Sequence, residues 1–147
     1  MSAAGCRDIS SEPELPEAGS AAARGAFFAA KKRIIAYWRD ECARDLDRLM
    51  THFARDAEVI TPDGVYRGHA AVAALYRKSF DDFPGLTVDV KAGFVGRDAH
   101  CFEYSAVLSG GADNRWLIEG VNLIRLQGGL ISGLRSFEDA PRRLLSD

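Results

Sequence analysis

The second half of the chain decides its fold, because residues 86–137 read LTVDVKAGFVGRDAHCFEYSAVLSGGADNRWLIEGVNLIRLQGGLISGLRSF. This stretch contains four segments that are rich in β-branched residues and alternate between apolar and polar side chains. Glycine-containing turns separate them, and short turns of this kind join antiparallel neighbours. The sequence therefore predicts a four-stranded antiparallel meander, with strands at Leu86–Val95, Ala99–Ser109, Arg115–Leu126 and Leu130–Phe137.

The first half shows helical spacing instead. Apolar residues recur every three or four positions within 21–42, and a second set follows Asp45, a residue type favoured at helix N-termini. A third set follows Gly68 and stops before Pro84, because proline cannot continue a helix. The second helix is predicted to bury Leu46, Leu49, Met50 and Phe53. With a short strand at Ala57–Thr61, the order of elements indicates an α+β domain in which a curved antiparallel sheet wraps around helices.

The composition of the chain argues against several classes of function. The 147 residues suffice for one domain, and 19 basic against 21 acidic residues leave no excess of positive charge for binding nucleic acid. No uncharged apolar run approaches the roughly 18 residues of a membrane helix. Residues 1–19 combine acidic residues with prolines and have no apolar core, so we expect a flexible tail followed by one domain at 20–147. The three widely spaced cysteines do not form a disulfide framework, which favours the cytoplasm.

Motifs for nucleotide phosphates or a serine nucleophile are missing from the sequence. His52, His69 and His100 lack the spacing of metal ligands, so neither a metal nor another cofactor is expected. His52 could serve as an acid or base in a pocket, but a surface or satisfied core histidine is the more ordinary interpretation. Asp63 lies in a Pro-Asp-Gly turn and is interpreted as a turn residue.

Five short segments point to a known family. They are DLDRLMTHFARDA at 45–57, YRGHAAV at 66–72, GVNLIRL at 120–126, GLI at 129–131 and FED at 137–139. They resemble segments of the SnoaL-like and ketosteroid isomerase-like proteins of the nuclear transport factor 2-like superfamily. The resemblance covers about residues 25–141 and implies a cone-shaped fold with an apolar pocket. This superfamily contains isomerases, cyclases, dehydratases, epoxide hydrolases and non-catalytic binders, so the resemblance defines the fold better than the reaction.

The same resemblance implies a set of catalytic residues. Tyr37 matches the oxyanion-hole tyrosine of the ketosteroid isomerases, Tyr76 matches a tyrosine that supports it, and Asn122 matches their second oxyanion donor. Thr61 stands where that family has its catalytic aspartate, and a hydroxyl is a poor proton acceptor at pH 7. Glu138 is the candidate substitute, because a carboxylate facing an apolar pocket would have a raised pKa and could act as acid or base. The alternative is that the strand end frays and Glu138 simply turns to water. Ser136 replaces the final-strand aspartate of limonene epoxide hydrolases, so that reaction is not expected.

Period-two alternation assigns the remaining pocket residues. If Asn122 faces the pocket, every second residue of the neighbouring strands does so too. The predicted substrate-binding residues are Thr61, Phe102, Tyr104, Trp116, Ile118, Leu134 and Ser136. The opposite face of the sheet presents an apolar stripe, for which an isologous homodimer is the expected partner. The stripe is formed by Val121, Leu123, Ile131 and Phe137.

Two functions remain open at this point, and a third, a dimerising scaffold, is compatible with either. The first is an enzyme that acts on a hydrophobic ketone-type substrate, steroid-like or polyketide, through an enolate, as an isomerase, cyclase or dehydratase. The second is a non-catalytic protein that binds a hydrophobic small molecule, which the threonine at position 61 favours.

Overall fold

The computed structural model describes residues 6–7, 21–94, 96, 98–111 and 113–145. Its helices are α1 (Ala21–Cys42), α2 (Leu46–Met50) and α3 (His69–Asp82). Its strands are β1 (Cys6–Arg7), β2 (Phe53–Thr61), β3 (Gly64–Arg67), β4 (Gly85–Phe94), β5 (His100–Ser109), β6 (Arg115–Gln127), β7 (Leu130–Glu138) and β8 (Arg142–Leu144). Of the predicted N-terminal tail, only Cys6–Arg7 are described, and they pair with β4; the rest of the tail lies outside the described residues.

Helix α1 has the predicted bounds and buries one stripe of its surface. The buried apolar side chains are Phe27, Ala30, Ile34, Tyr37 and Trp38, at the three- and four-residue spacing of a helix face. This stripe contacts β4 and β6, so the helix packs against the sheet. Burial of aromatic side chains is a large part of what stabilises such a helix, because isolated helices are marginal in water.

Helix α2 begins as predicted but ends sooner. The Asp45 side chain accepts a hydrogen bond from the backbone N–H of Arg48 at 3.1 Å, which caps the helix N-terminus. The helix ends at Met50, however, and the expectation that Phe53 belongs to it was wrong. Phe53 begins β2 and pairs with Ile131 of β7. Pairing with a distant strand here overrides the local helical spacing.

The predicted meander is confirmed, and it forms most of one mixed sheet. The strand order is β1-β4-β5-β6-β7-β2-β3, with β8 paired to β6. Strands β4 to β7 are antiparallel neighbours in chain order, whereas β2 runs parallel to β7. The sequence analysis missed β3 and β8, which are short and lack a long alternating pattern. The parallel β2–β7 pair brings the end of β2 beside the end of β7, where the site lies.

Alternation fails at one point of β7. Ile131 was expected on the outer face, but its side chain is fully buried. The register between β6 and β7 shifts between Arg125 and Leu126, so that Gly133 pairs with Arg125 and Ile131 with Leu126. One extra residue in a strand reverses which face the preceding side chains occupy. Within the described residues, no helix is long and apolar enough to cross a membrane.

Candidate functional site

A cavity of about 240 Å³ lies between α1, α3 and the concave face of the sheet. Its buried side chains include Tyr37, Trp38 and Tyr76, while Pro62, Asp63 and Glu138 are exposed and mark its mouth. The apolar lining is contributed by Val59, Leu75, Leu86, Val88, Ala106, Leu108, Ile118 and Leu134. A mostly apolar concavity with a few polar groups is typical of a small-molecule site.

Two tyrosines meet inside this cavity, as the sequence predicted. The hydroxyls of Tyr37 and Tyr76 are 2.6 Å apart and hydrogen-bonded, and both side chains are buried. Burial raises the pKa of both phenols well above the usual value, and the nearby Glu41 carboxylate raises it further. Both phenols are therefore neutral at physiological pH and can donate hydrogen bonds.

Glu41 is the site residue that the sequence analysis missed. It lies one helical turn after Tyr37 and lines the cavity. No Lys, Arg or His among the described residues comes within ion-pair distance of its carboxylate. Burial raises its pKa to about 7, opposed by attraction to Arg44 and by Tyr37 donating toward it, and assisted by repulsion from Glu138. The four-residue spacing from Tyr37 was the available signal, since residues i and i+4 share a helix face.

Glu138 also lines the cavity, but its side chain is more exposed to solvent than expected. Its side chain is exposed at the mouth and its Oε1 accepts hydrogen bonds from the Ser136 hydroxyl at 2.9 Å and the Tyr104 hydroxyl at 3.4 Å. Tyr104 and Ser136 are themselves 3.0 Å apart. The more shielded of the two carboxylates is Glu41, which is half-buried on α1, whereas the end of β7 leaves Glu138 exposed.

Asn122 and Thr61 line the cavity as predicted. Asn122 is 4% exposed, and its Oδ1 has no hydrogen-bond partner among the described residues. Thr61 ends β2, and its hydroxyl accepts a hydrogen bond from the backbone N–H of Asp63 at 3.2 Å. Asp63 combines the expected turn position with a place in the cavity wall.

The structure brings most of the predicted residues together at the cavity. They are Tyr37, Thr61, Tyr76, Tyr104, Ile118, Asn122, Leu134, Ser136 and Glu138. Phe102 and Trp116 lie elsewhere. Phe102 is fully buried and stacks on Phe27 with ring centroids 5.9 Å apart, so it belongs to the core. Trp116 donates its indole N–H to Asn114 Oδ1 at 2.8 Å, and its strand position pairs with Arg143 of β8.

His52 is a satisfied core histidine and does not line the cavity. Its Nε2 is 2.7 Å from Oδ2 of the buried Asp40, and its Nδ1 is 2.9 Å from the guanidinium of Arg33. Because arginine only donates, Nδ1 is the acceptor and Nε2 carries the proton toward Asp40. No group of three or more potential metal-ligating side chains occurs among the described residues.

The fold and the cavity define a cone-shaped α+β protein with a largely apolar cavity. A family model for the SnoaL-like domain matches residues 31–134, and the chain belongs to this family. A comparison with curated proteins finds no match.

Solved structures with the same fold include three bacterial proteins. A protein from Jannaschia sp. CCS1 described as a SnoaL-like polyketide cyclase is 16% identical, with a TM-score of 0.67 over 78% of this chain and 88% of that chain. An LEH-like epoxide hydrolase of M. tuberculosis is 18% identical, with a TM-score of 0.67 over 77% and 84%. A nuclear transport factor 2-like protein from Burkholderia pseudomallei K96243 is 14% identical, with a TM-score of 0.67 over 76% and 91%. At these identities the likeness establishes the fold alone.

Proposed function

We propose that this protein is an acid–base enzyme for a hydrophobic ketone-type small molecule, with Glu41 moving the proton through an enolate intermediate. The observation that carries this proposal is the placement of Glu41. Its carboxylate lines a largely apolar cavity beside the Tyr37–Tyr76 pair and has no ion-pair partner among the described residues. A carboxylate whose pKa is raised in a cleft is a candidate proton carrier, because partial withdrawal from water makes its charged form costly. Membership of the SnoaL-like family supports a cyclase or isomerase of this kind.

The proposed step conserves charge within the cavity. The ionised Glu41 takes a proton from the carbon next to the ketone, the C–H bond breaks, and its electrons pass into the enolate. Protonation neutralises Glu41, so Tyr37 no longer needs to donate toward it and can donate to the enolate oxygen. Asn122, from its position on β6, can supply a second donor, its amide N–H, at any pH.

Three outcomes are open to such an enolate. Glu41 can return the proton to a different carbon, which is an isomerisation. The enolate carbon can attack a second carbonyl and close a ring, and the new alkoxide then takes the proton from Glu41. Alternatively the enolate can expel a β-hydroxyl group, which leaves as water with that proton. A pocket of mixed apolar and hydroxyl character accommodates each of these reactions, and the substrate decides among them.

Deuterium exchange tests the proton-transfer step without knowledge of the natural substrate. We expect the protein to accelerate exchange of the α-protons of 2-tetralone in D₂O, followed by NMR, and Glu41→Gln to slow it by about 10²-fold or more. The rate should rise as Glu41 ionises, reach half its maximum near pH 7 and level off above that pH. A basic group must be ionised to accept a proton, so the rate falls on the acid side.

Glu103→Gln is the matched control, since Glu103 is an exposed glutamate on β5 outside the cavity lining. It should leave the exchange rate unchanged. Exchange that is equally fast in the Glu41→Gln variant would remove Glu41 from the mechanism. Absence of exchange in the unaltered protein, together with tight binding of the ketone, would instead favour a non-catalytic binding protein, as the threonine at position 61 suggests.

A further inference from the structure

We infer that the ligand of this cavity carries a protonated amine, and that the Glu138 carboxylate at the mouth binds it. The inference rests on the proposed function, because it names the substrate class of the same cavity: a hydrophobic aminoketone or a related amine. Four independent features of the cavity lead to it.

The charged side chains of the cavity all have the same sign. Glu41, Asp63 and Glu138 line it, and no Lys, Arg or His among the described residues does. Arg44 attracts Glu41, but its guanidinium packs 4.5 Å from the centre of the Phe80 ring and is not part of the lining. A cleft lined by one sign of charge concentrates ligands of the opposite sign and repels anions. Carboxylate and phosphate ligands therefore fit this cavity poorly.

Glu138 is held in place by neighbouring hydroxyl groups. Ser136 and Tyr104 both donate to its Oε1, at 2.9 and 3.4 Å. Hydrogen bonds to an ionised acceptor are stronger than those between neutral groups, so they fix the carboxylate at the edge of the cavity. Its Oε2 has no partner in the described part of the chain and is available to a ligand.

Aromatic rings line the cavity beside this carboxylate. The ring centroids of Trp38 and Tyr104 are 5.3 Å apart, and both side chains line the cavity. Aromatic faces attract cations, and tryptophan does so most strongly. A carboxylate next to aromatic side chains is the chemistry that recognises an ammonium group with apolar substituents.

Asn122 supplies an independent sign that a hydrogen-bond donor is missing. Its side chain is 4% exposed and lines the cavity, yet its Oδ1 accepts no hydrogen bond within the described residues. Buried polar groups are normally paired, and leaving one unpaired costs free energy. An amine brings N–H donors, whereas a carboxylate ligand would bring further acceptors.

Three naphthalene probes of nearly equal size distinguish the effect of ligand charge on affinity from the effect of ligand shape. They are 2-naphthylmethylamine, 2-naphthylmethanol and 2-naphthoate, which are cationic, neutral and anionic at pH 7. Titration followed by naphthalene fluorescence should show the amine binding at least tenfold more tightly than the alcohol, and the naphthoate binding most weakly. Equal affinity for amine and alcohol, tighter binding of naphthoate, or binding of none of the three would overturn the inference.

A pair of variants then tests the role of Glu138. Glu138→Gln should weaken amine binding about tenfold and leave alcohol binding unchanged, whereas Glu103→Gln should change neither. If Glu138→Gln weakened both probes equally, Glu138 would be shaping the cavity and not binding a cation.

Failure of this inference is distinguishable from failure of the proposed function. Deuterium exchange that depends on Glu41 without an amine preference would leave the acid–base function standing and remove the amine. An amine preference without exchange would support the amine ligand and remove the acid–base function.

Discussion

At the scale of single residues, Glu41 occupies a position that is unfavourable for its ionised form. Its pKa is raised from 4.5 to about 7, mainly by burial, so the folded state binds its proton more tightly than the unfolded chain does. The stability that comes from this proton is fully present below about pH 4.5 and is lost as the pH rises through about 7. The ionised carboxylate therefore destabilises the fold near the pH at which it can act as a base.

Replacing Glu41 by glutamine should accordingly stabilise the protein in a pH-dependent manner. At pH 8 the free energy of unfolding of Glu41→Gln should exceed that of the unaltered protein by up to about 3 kcal/mol. The difference should shrink toward zero below about pH 4.5, where both the folded and the unfolded chain bind the proton. Urea unfolding across this pH range measures it, and Glu103→Gln should show no such trend. A constant difference at all pH values would contradict the raised pKa.

At the scale of elements, the close approach of β6 and β7 positions the mouth of the cavity. Gly120 pairs with Glu138, and a Cβ at Gly120 would collide with the carbonyl oxygen of Phe137 and lie 3.2 Å from the Tyr104 hydroxyl. Only a residue without a side chain lets the two strands meet here, which places Tyr104 within reach of Glu138. Close packing of the two strands thus explains why the GVNLIRL segment begins with a glycine, Gly120.

Gly120→Ala should therefore disturb both stability and the mouth of the cavity. The added methyl group forces the two strands apart, at a cost of about 1–3 kcal/mol in the free energy of unfolding. It should also weaken binding of 2-naphthylmethylamine, since Glu138 moves. Gly133→Ala on β7 is the control, because its Cβ would find its nearest neighbour at 3.8 Å, an ordinary contact. Similar losses in the two variants would show that the close approach at Gly120 is unimportant.

At the scale of the whole molecule, a buried polar cluster ties α1 to the turns at the end of the sheet away from the cavity mouth. His52 bridges Asp40 and Arg33 of α1, and Arg33 also donates to the carbonyl of Gly129 at 2.9 Å. The backbone carbonyl of His52 accepts from the N–H of Ile131 at 2.8 Å. The cluster joins helix and sheet without contributing to the cavity lining, which suits a structural role.

His52→Ala should therefore lower the stability of the protein without changing ligand binding. It leaves the buried Asp40 carboxylate with the exposed Arg39 at 3.7 Å, which should lower the free energy of unfolding by roughly 2–3 kcal/mol. Affinity for 2-naphthylmethylamine in the folded variant should stay unchanged. Urea unfolding and fluorescence titration of the same sample provide both readings. A loss of affinity with the fold intact would mean that this cluster controls the cavity.

We propose that the outer face of the sheet is a dimer interface. Phe137 is 49% exposed there, while Val121 and Leu123 are half-buried. Ile131 does not contribute, because the register shift in β7 turns it into the core.

The sequence by itself determined the long helices, the meander and most of the cavity lining, but not the short strands β1, β3 and β8. Helix α1, helix α3 and the four-stranded meander follow from local periodicities of 3.6 and 2 residues, which each segment carries on its own. The positions of Tyr37, Asn122 and Glu138 in one cavity followed from a family resemblance together with these periodicities. Where a register shift breaks the alternation, as at Ile131, a local pattern fails.

Only the tertiary structure decided which polar side chains are shielded from solvent and which are exposed. Glu41 is half-buried in the cavity wall, whereas Glu138 is exposed because β7 ends at the mouth. Phe102 has the alternation of a cavity residue, yet Phe27 covers it. The parallel pairing of β2 with β7 likewise joins residues far apart in the chain. Desolvation and strand partnership are properties of the surroundings, and a single segment of sequence does not contain them.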